Sequence, residues 1–395
     1  MKQLRWIVLL TLLSLVLAAC PAAVPTAAPA PASGGDSAAA APTDTPAAEA
    51  PAAEASTGEL TKIRLQLQWV TQSQFAGYYA ALDQGFYKDE GLDVEILEGA
   101  VEIVPQQVVA AGDAEFGIAW VPKVLASREQ GADLVNIAQI FQRSGTLEIS
   151  WKDSGITKPE DWKGKKVGTW GFGNEFELYA ALRKAGIEPD DASQVTIVQQ
   201  PFDMQLLLNK EIDAAEAMTY NEYAQVLEAK NPATGELYKP EDLSVINFND
   251  VGTAMLQDHI FTSEKWLAEE GHEDLAVKFL RASFKGWIFC RDNFDQCVDI
   301  VLKNGPTLGK GHMAWQLNEI NDLIWPSPAG IGVMDENLWK QTVDISTEFK
   351  VLTAAPSDGA YRTDLAQKAI DSMTDIDTKG EGFKKQTVEV TPGGE

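Results

Sequence analysis

Apolar and polar positions alternate along residues 62–69 (KIRLQLQW), the two-residue period of a half-buried strand. Thr71 and Gln74 then give the Thr-x-x-Gln form of a capping box, and Phe75, Tyr79 and Leu82 recur on one helical face until Gly85. LDVEIL (92–97) predicts a second strand, followed by a helix around 104–111, the short strand FGIAW (116–120), a helix over 122–130 and the strand LVNIAQIF (134–141). This βα order predicts an α/β fold with a parallel or mixed sheet and helices on both faces.

A second unit repeats the scheme. KPEDW is a helical turn, 166–169 a strand, and a glycine turn leads to a helix with Asn174 and Glu177 at its N-cap and N3 positions. VTIVQQ (195–200), a helix from Met204 and DAAEAM (213–218) follow. Beyond about 247 the periodicity turns helical, over 273–292, 296–304, 313–324 and 336–352, as if the chain returned to the first unit and wrapped it.

The first residues read as an address. Lys2 and Arg5 precede an apolar stretch, 6–17, that is too short for a bilayer, which takes about 20 residues. Leu17-Ala18-Ala19-Cys20 resembles the lipobox of bacterial lipoproteins. That pattern implies a signal peptide over 1–19, lipidation at Cys20 and a position on the outer face of the cell membrane. Residues 20–59 are rich in Ala, Pro, Ser and Thr and hold no aromatic residue, the composition of a disordered tether.

The formal charge is −26, with 58 acidic against 32 basic residues, and no clustered basic surface suits nucleic acid. The run from Lys163 to Lys166 is a turn signal. With Cys20 used, Cys290 and Cys297 remain as a candidate disulfide in an exported chain, or as two buried thiols. On one continuous helix their α-carbons would stand about 10 Å apart, so a bond requires a helix break near Asn293. His259, His272 and His312 lie apart and no CxxC or HExxH occurs, so no metal site is expected. Gly171-x-Gly173 lacks the third glycine of a dinucleotide fingerprint, GPTLGKG (305–311) lacks phosphate-loop spacing, and the folded part has no GxSxG; nothing recommends a hydrolase, and no enzyme is expected.

The stretch RLQLQWVTQSQFAGYYAALDQGFYKDEGLDVEIL resembles the substrate-binding proteins of bacterial ABC importers, in the branch related to thiamine-pyrimidine synthases. QWVTQSQFAGYY is most similar to riboflavin-binding lipoproteins and to relatives that bind a formylated aminopyrimidine. The likeness covers about 62–352, including KPEDWKGKKVG and FDMQLLLNKEIDAAEAM, and lacks the cysteine-rich run of the eukaryotic synthases. It implies a two-lobed periplasmic-binding-protein fold, type II-like, with two hinge crossovers. Lobe 1 would combine 60–151 with 253–387, lobe 2 would be 152–252, and 388–395 a flexible tail. It also implies a monomer that serves an ABC permease, carries its vitamin as cargo and needs no cofactor.

Ligands of open α/β sheets sit beyond the carboxyl ends of the strands. Those ends carry Gln68 and Trp69 with Gln72, Gln74, Phe75 and Tyr78 in the adjoining helix; Trp120; Gln142 and Arg143; Trp170 and Phe172; and Tyr220 with Asn221. Rings stack on a flat ligand and amides read its edge. Glu175 and Glu177 occupy the helix start an anion would use, and Arg143 is the one cation near a predicted strand end. A neutral, flat, nitrogen-rich ligand is therefore expected. Riboflavin fits, with its ribityl hydroxyls toward Asn174, Glu175 or Gln142; a hydroxymethyl- or formylaminopyrimidine fits in the same way. An exported pyrimidine-metabolism enzyme and a sensor subunit are the rival classes.

Overall fold

A computed structural model describes residues 59–100 and 102–395; the signal, Cys20 and the tether lie outside the described residues. Among the described residues, ten strands form two mixed sheets. The first contains β1 (Thr61–Gln66), β2 (Leu92–Leu97), β3 (Phe116–Trp120), β4 (Leu134–Gln139) and β10 (Asp258–Ser263), in the order β2-β1-β3-β10-β4. The second contains β5 (Thr146–Trp151), β6 (Lys166–Thr169), β7 (Thr196–Gln199), β8 (Ala214–Met218) and β9 (Leu243–Asn247), in the order β7-β6-β8-β5-β9. The chain passes between the sheets after β4 and after β9, the two crossovers of a two-lobed binding-protein fold. The strand Thr146–Trp151 pairs with β8 and β9, so the first crossing falls between 139 and 146 and not after 151 as the sequence suggested.

In each sheet the strand arriving from the other lobe runs antiparallel to its neighbours: β5 against β8 and β9, β10 against β3 and β4. Its first residue therefore lies at the carboxyl ends of the neighbouring strands. Both crossings thus deliver the chain to the edge that faces the other lobe.

Eight helices matter for the site. They are α1 (Ala76–Asp83), α2 (Val121–Glu129), α3 (Phe176–Lys184), α4 (Glu222–Glu228), α5 (His272–Asp292), α6 (Phe294–Asn304), α7 (Lys310–Ile324) and α8 (Glu336–Glu348). The expected capping box does not form. Thr71 instead bonds the Tyr79 hydroxyl at 2.8 Å and Glu98, while Gln74 turns to Asp258. Tertiary acceptors outcompete the local cap because both side chains are buried. At the next helix start, Asn174 and Glu177 likewise bond Gly171 and the Ser144–Met255 region rather than capping α3.

α1 crosses α5 where two glycines meet. A Cβ on Gly286 would lie 2.0 Å from the Gly77 carbonyl oxygen, and one on Gly77 would lie 2.2 Å from the Trp287 ring. That approach seats Tyr78 edge-on to Trp287, with ring centroids 5.6 Å apart. α5 stops at Asp292 and α6 begins at Phe294, and across this break Cys290 and Cys297 are joined in a disulfide with a Cα separation of 5.0 Å.

The second lobe has a polar layer under its sheet. Glu148 on β5 lies directly opposite Glu216 on β8, and both are buried. Two ionised carboxylates cannot share such a position. Burial holds both well above the usual carboxylate range; Glu216 raises Glu148 further, and Glu175 and Glu177 raise Glu216. Glu177, on α3, is pushed up to about 8 by burial against hydrogen bonds from Met255 and Ser144.

Residues 388–395, expected as a flexible tail, are packed. Val390 rests on the core of the second lobe, and Gly394 is buried between His312 on α7 and Glu228 on α4. Gln386 leads into this segment by pairing its backbone with both amide atoms of Asn318 at 2.9 Å.

A raised carboxyl pKa in the fold means that the folded state holds a proton the unfolded chain has released. Stability therefore falls as pH rises above the unfolded carboxylate value. Glu148→Gln should leave the melting temperature nearly unchanged at pH 4 and raise it by several degrees at pH 8, on the order of 1–3 kcal/mol. Equal shifts at both pH values, read by thermal melts, would contradict a protonated Glu148.

Candidate functional site

The carboxyl ends of both sheets converge on one slot. Trp69 follows β1, Trp120 ends β3, Trp170 follows β6, and Tyr220, Asn221 and Glu222 follow β8; these residues line it with Gln72, Gln74, Phe202 and Met218. The space left between the side chains is about 10 Å³, room for about one water. A heterocycle is admitted only if the lobes or the Phe202 ring move apart. Larger hollows exist, such as one of about 760 Å³ beside Trp151 and Tyr238, but this is an open basin that shares no residue with the slot.

Of the fourteen residues expected at the site, Trp69, Gln72, Gln74, Trp120, Trp170, Tyr220 and Asn221 line the slot. The three tryptophans meet there, two from one lobe and one from the other. The remainder are placed differently. Gln68 and Phe75 are buried behind the lining, and the Gln68 amide atoms have no partner. Tyr78 is buried against Trp287, and its hydroxyl is also without a partner. Gln142 turns back to the Gln139 carbonyl at 2.8 Å. Asn174 donates to the Gly171 carbonyl at 2.6 Å, and Glu175 accepts from the Gly173 N–H at 2.8 Å, each folding the glycine turn rather than facing the slot. Phe172 is 55% exposed on a left-handed turn residue (φ 55°), and its expected ring position is taken by Phe202, which stands edge-on to Trp69 at 4.9 Å.

A cation was missed. Lys123 is the third residue of α2, one helical turn beyond Trp120, and is only 6% exposed. Its Nζ lies 5.4 Å over the Trp69 ring and 3.4 Å from Asn174 Oδ1. Burial pushes its pKa down to about 8, against the attraction of Glu175, Asp258 and Glu216. Arg143, the cation expected there, donates instead to the carbonyls of Asp322, Leu323, Trp325 and Pro326 and holds a chain corner. Lys123 is therefore a charge enclosed by acids, not a free anion receptor. Asp258 and Glu222 are both pushed up to about 7 by burial.

The chain that carries this arrangement is similar to known proteins. A family model described as NMT1/THI5 like matches residues 72–296, more than half of the 395-residue chain. The chain belongs to the NMT1/THI5-like family. Within reach of that family, it is 27% identical to the riboflavin-binding protein RibY of Chloroflexus aurantiacus over 90% of this chain and 95% of that one. It is 25% identical to the formylaminopyrimidine-binding protein of Halalkalibacterium halodurans over 62% and 71%. Relatives named 4-amino-5-hydroxymethyl-2-methylpyrimidine phosphate synthases, in Saccharomyces cerevisiae, match at 26% over 34% of this chain and 40% of theirs. In fold it is similar to the periplasmic aliphatic sulphonate binding protein SsuA of Escherichia coli, with a TM-score of 0.55 and 16% identity over 86% of this chain and 98% of that one.

In this NMT1/THI5-like chain the slot is bounded on one side by a polar clasp between lobes. His312 on α7 places Nδ1 at 2.8 Å from Glu228 Oε1 and Nε2 at 2.8 Å from Asn221 Oδ1, both on the second lobe. Gln316, one turn further, donates from Nε2 to Asn221 Oδ1 at 2.8 Å and to Gln72 Oε1 at 2.9 Å, and its own Oε1 accepts from the Ser73 N–H at 3.0 Å. Trp315 adds a bond from its indole N–H to the Thr219 carbonyl at 3.0 Å. Two slot residues, Gln72 and Asn221, are thus held by the same helix.

Removing the clasp should favour separation of the lobes. His312→Ala leaves Glu228 buried without its partner, and the open fraction is expected to rise about tenfold, equivalent to about 1.4 kcal/mol. Small-angle scattering should record a larger radius of gyration than for the unaltered chain. An unchanged scattering curve would count against the clasp.

Proposed function

We propose that the protein is the extracytoplasmic substrate-binding lipoprotein of an ABC importer, and that its cargo is a neutral planar nitrogen heterocycle, riboflavin before others. The observation that carries this reading is the meeting of Trp69, Trp120 and Trp170 from two sheets at one slot, with amides at its rim. Indole faces stack on a flat ring system, and Gln72 and Asn221 offer both donors and acceptors to its edge. Cargo held by Trp69 and Trp120 on one lobe gains Trp170, Tyr220 and Asn221 on the other only when the lobes meet, so binding favours the closed arrangement.

End-to-end similarity to a riboflavin-binding relative supports the flavin. A formylated or hydroxymethylated aminopyrimidine is the second reading, favoured by the small slot and by the buried carboxyl of Asp258, which suits an amino group. A catalytic role draws less support. The cysteines at 290 and 297 are bonded to each other, and His312 is engaged by Glu228 and Asn221.

Protein purified without added ligand should show a flavin absorbance band, or bind riboflavin with quenching of tryptophan emission. Trp170→Ala should weaken that binding about tenfold to a hundredfold, equivalent to about 1–3 kcal/mol of stacking. No flavin binding, together with thermal stabilisation by an aminopyrimidine, would move the assignment to the second reading; turnover of either compound would move it to an enzyme.

Anchoring is read from Leu17-Ala18-Ala19-Cys20. Cys20→Ala should shift the protein from the membrane fraction to the soluble one and remove the mass of the acyl chains. Persistence in the membrane fraction would argue for another anchor.

A further inference from the structure

We infer that Asp258 selects the cargo, by accepting a hydrogen bond from a ring N–H or ring amino group, so that the cargo class is a planar heterocycle with such a donor beside a ring acceptor. The inference rests on the proposed binding role and adds the group that reads the cargo and the atom that it reads.

Asp258 is the first residue of β10 and pairs in register with Trp120. The antiparallel run of β10 sets it one layer behind the slot, against the lining residues Gln74 and Trp120. It is 2% exposed, and its two oxygens are used unequally. Oδ2 accepts from Gln74 Nε2 at 2.9 Å, while Oδ1 has no partner. Beside it the Trp120 indole N–H is near enough to lower the Asp258 carboxyl pKa, and the Tyr78 hydroxyl is near Trp287, yet neither makes a hydrogen bond of ordinary geometry. Its charge is felt by Tyr78, Tyr220 and Lys123, which places all three around it.

Of the other acids near the slot, Glu177 and Glu222 are filled on both oxygens, while Glu216 on β8 keeps one unpartnered oxygen and gives the other to Thr169 and the Trp170 N–H. Glu177 takes Met255 N–H at 2.8 Å and Ser144 at 2.9 Å. Glu222 takes Met218 N–H at 3.0 Å and Asn221 Nδ2 at 2.7 Å. Those carboxyls are structural. A buried carboxyl with one oxygen committed to Gln74, beside an indole N–H that a ligand acceptor can draw away from it, is a two-point reader: the oxygen takes an N–H, and the indole gives to a neighbouring acceptor. A lactam edge presents that pair, and so does an aminopyrimidine edge. An ester, a hydrocarbon or an N-methylated ring does not.

The test uses matched probes on the folded protein: riboflavin against 3-methylriboflavin, and 4-amino-5-hydroxymethyl-2-methylpyrimidine against its N,N-dimethylamino analogue, titrated by calorimetry. The unaltered protein should bind one parent at least about 100-fold more tightly than its methylated partner, since a buried group left unpaired rejects the analogue that lacks its donor. Asp258→Asn should bind that parent about 10- to 100-fold more weakly and lose most of the discrimination. Parent binding with no discrimination in the unaltered protein overturns the inference and leaves the proposed function standing, and this comparison serves even if the variant does not fold. Discrimination that survives Asp258→Asn also overturns it. If neither parent binds the unaltered protein, the proposed cargo class falls and the inference with it.

Discussion

The direction of two strands constrains everything else in the molecule. β5 and β10 each run against the sheet that they join, so each begins at the edge where the parallel strands end. Strand ends that carry rings and strand starts that carry the crossovers therefore share one narrow region. Had either strand run parallel, the crossing would have had to traverse the length of a lobe, and Asp258 and Gly145 would stand far from Trp120 and Thr219. As built, Gly145 meets the Thr219 side chain, and Asp258 stands opposite Trp120. Hinge and binding surface are one piece of chain.

That coincidence explains the acids. A hinge floor between two sheets is shielded from water, and backbone N–H groups there need acceptors. Glu177 accepts from the Met255 N–H next to one crossover, and Gln257 receives the Gly145 N–H at 2.9 Å next to the other. Burial drives these carboxyls toward the protonated form, and Lys123 supplies the nearby positive charge that several of them share. Lys123 is thereby enclosed among acids and is not a free charge on the slot's wall.

Much of this was legible in the sequence, and the failures have physical causes. β1 to β4 follow a two-residue or fully apolar pattern, and the long helices α5 to α8 follow a clear helical period. The disulfide followed from counting cysteines and asking where a helix could break. β5 and β10 escaped, because Glu148 in one and Asp258 with His259 in the other stand at buried positions, and hydropathy treats a protonated acid as though it were charged. The tryptophans were found by position at strand ends. Lys123 was not, since a lysine in the first turn of a helix ordinarily reaches solvent, and nothing local says that Trp69 and Asn174 will close over it. Phe202 is preceded by Pro201 in a loop with no period at all. The clasp joins His312 to Asn221 across 91 positions of chain, a relation that only the folded lobes create.

The bridge between α5 and α6 carries one more implication. Both sulfurs are fully enclosed, so a reagent in solution reaches neither while the fold persists. Their redox state therefore changes only when this region opens, and it keeps a trace of the compartment in which each molecule matured. Chains ripened in a reducing interior would keep two sheltered thiols, revealed only by alkylation after denaturation, and a mixed population could be sorted by its birthplace.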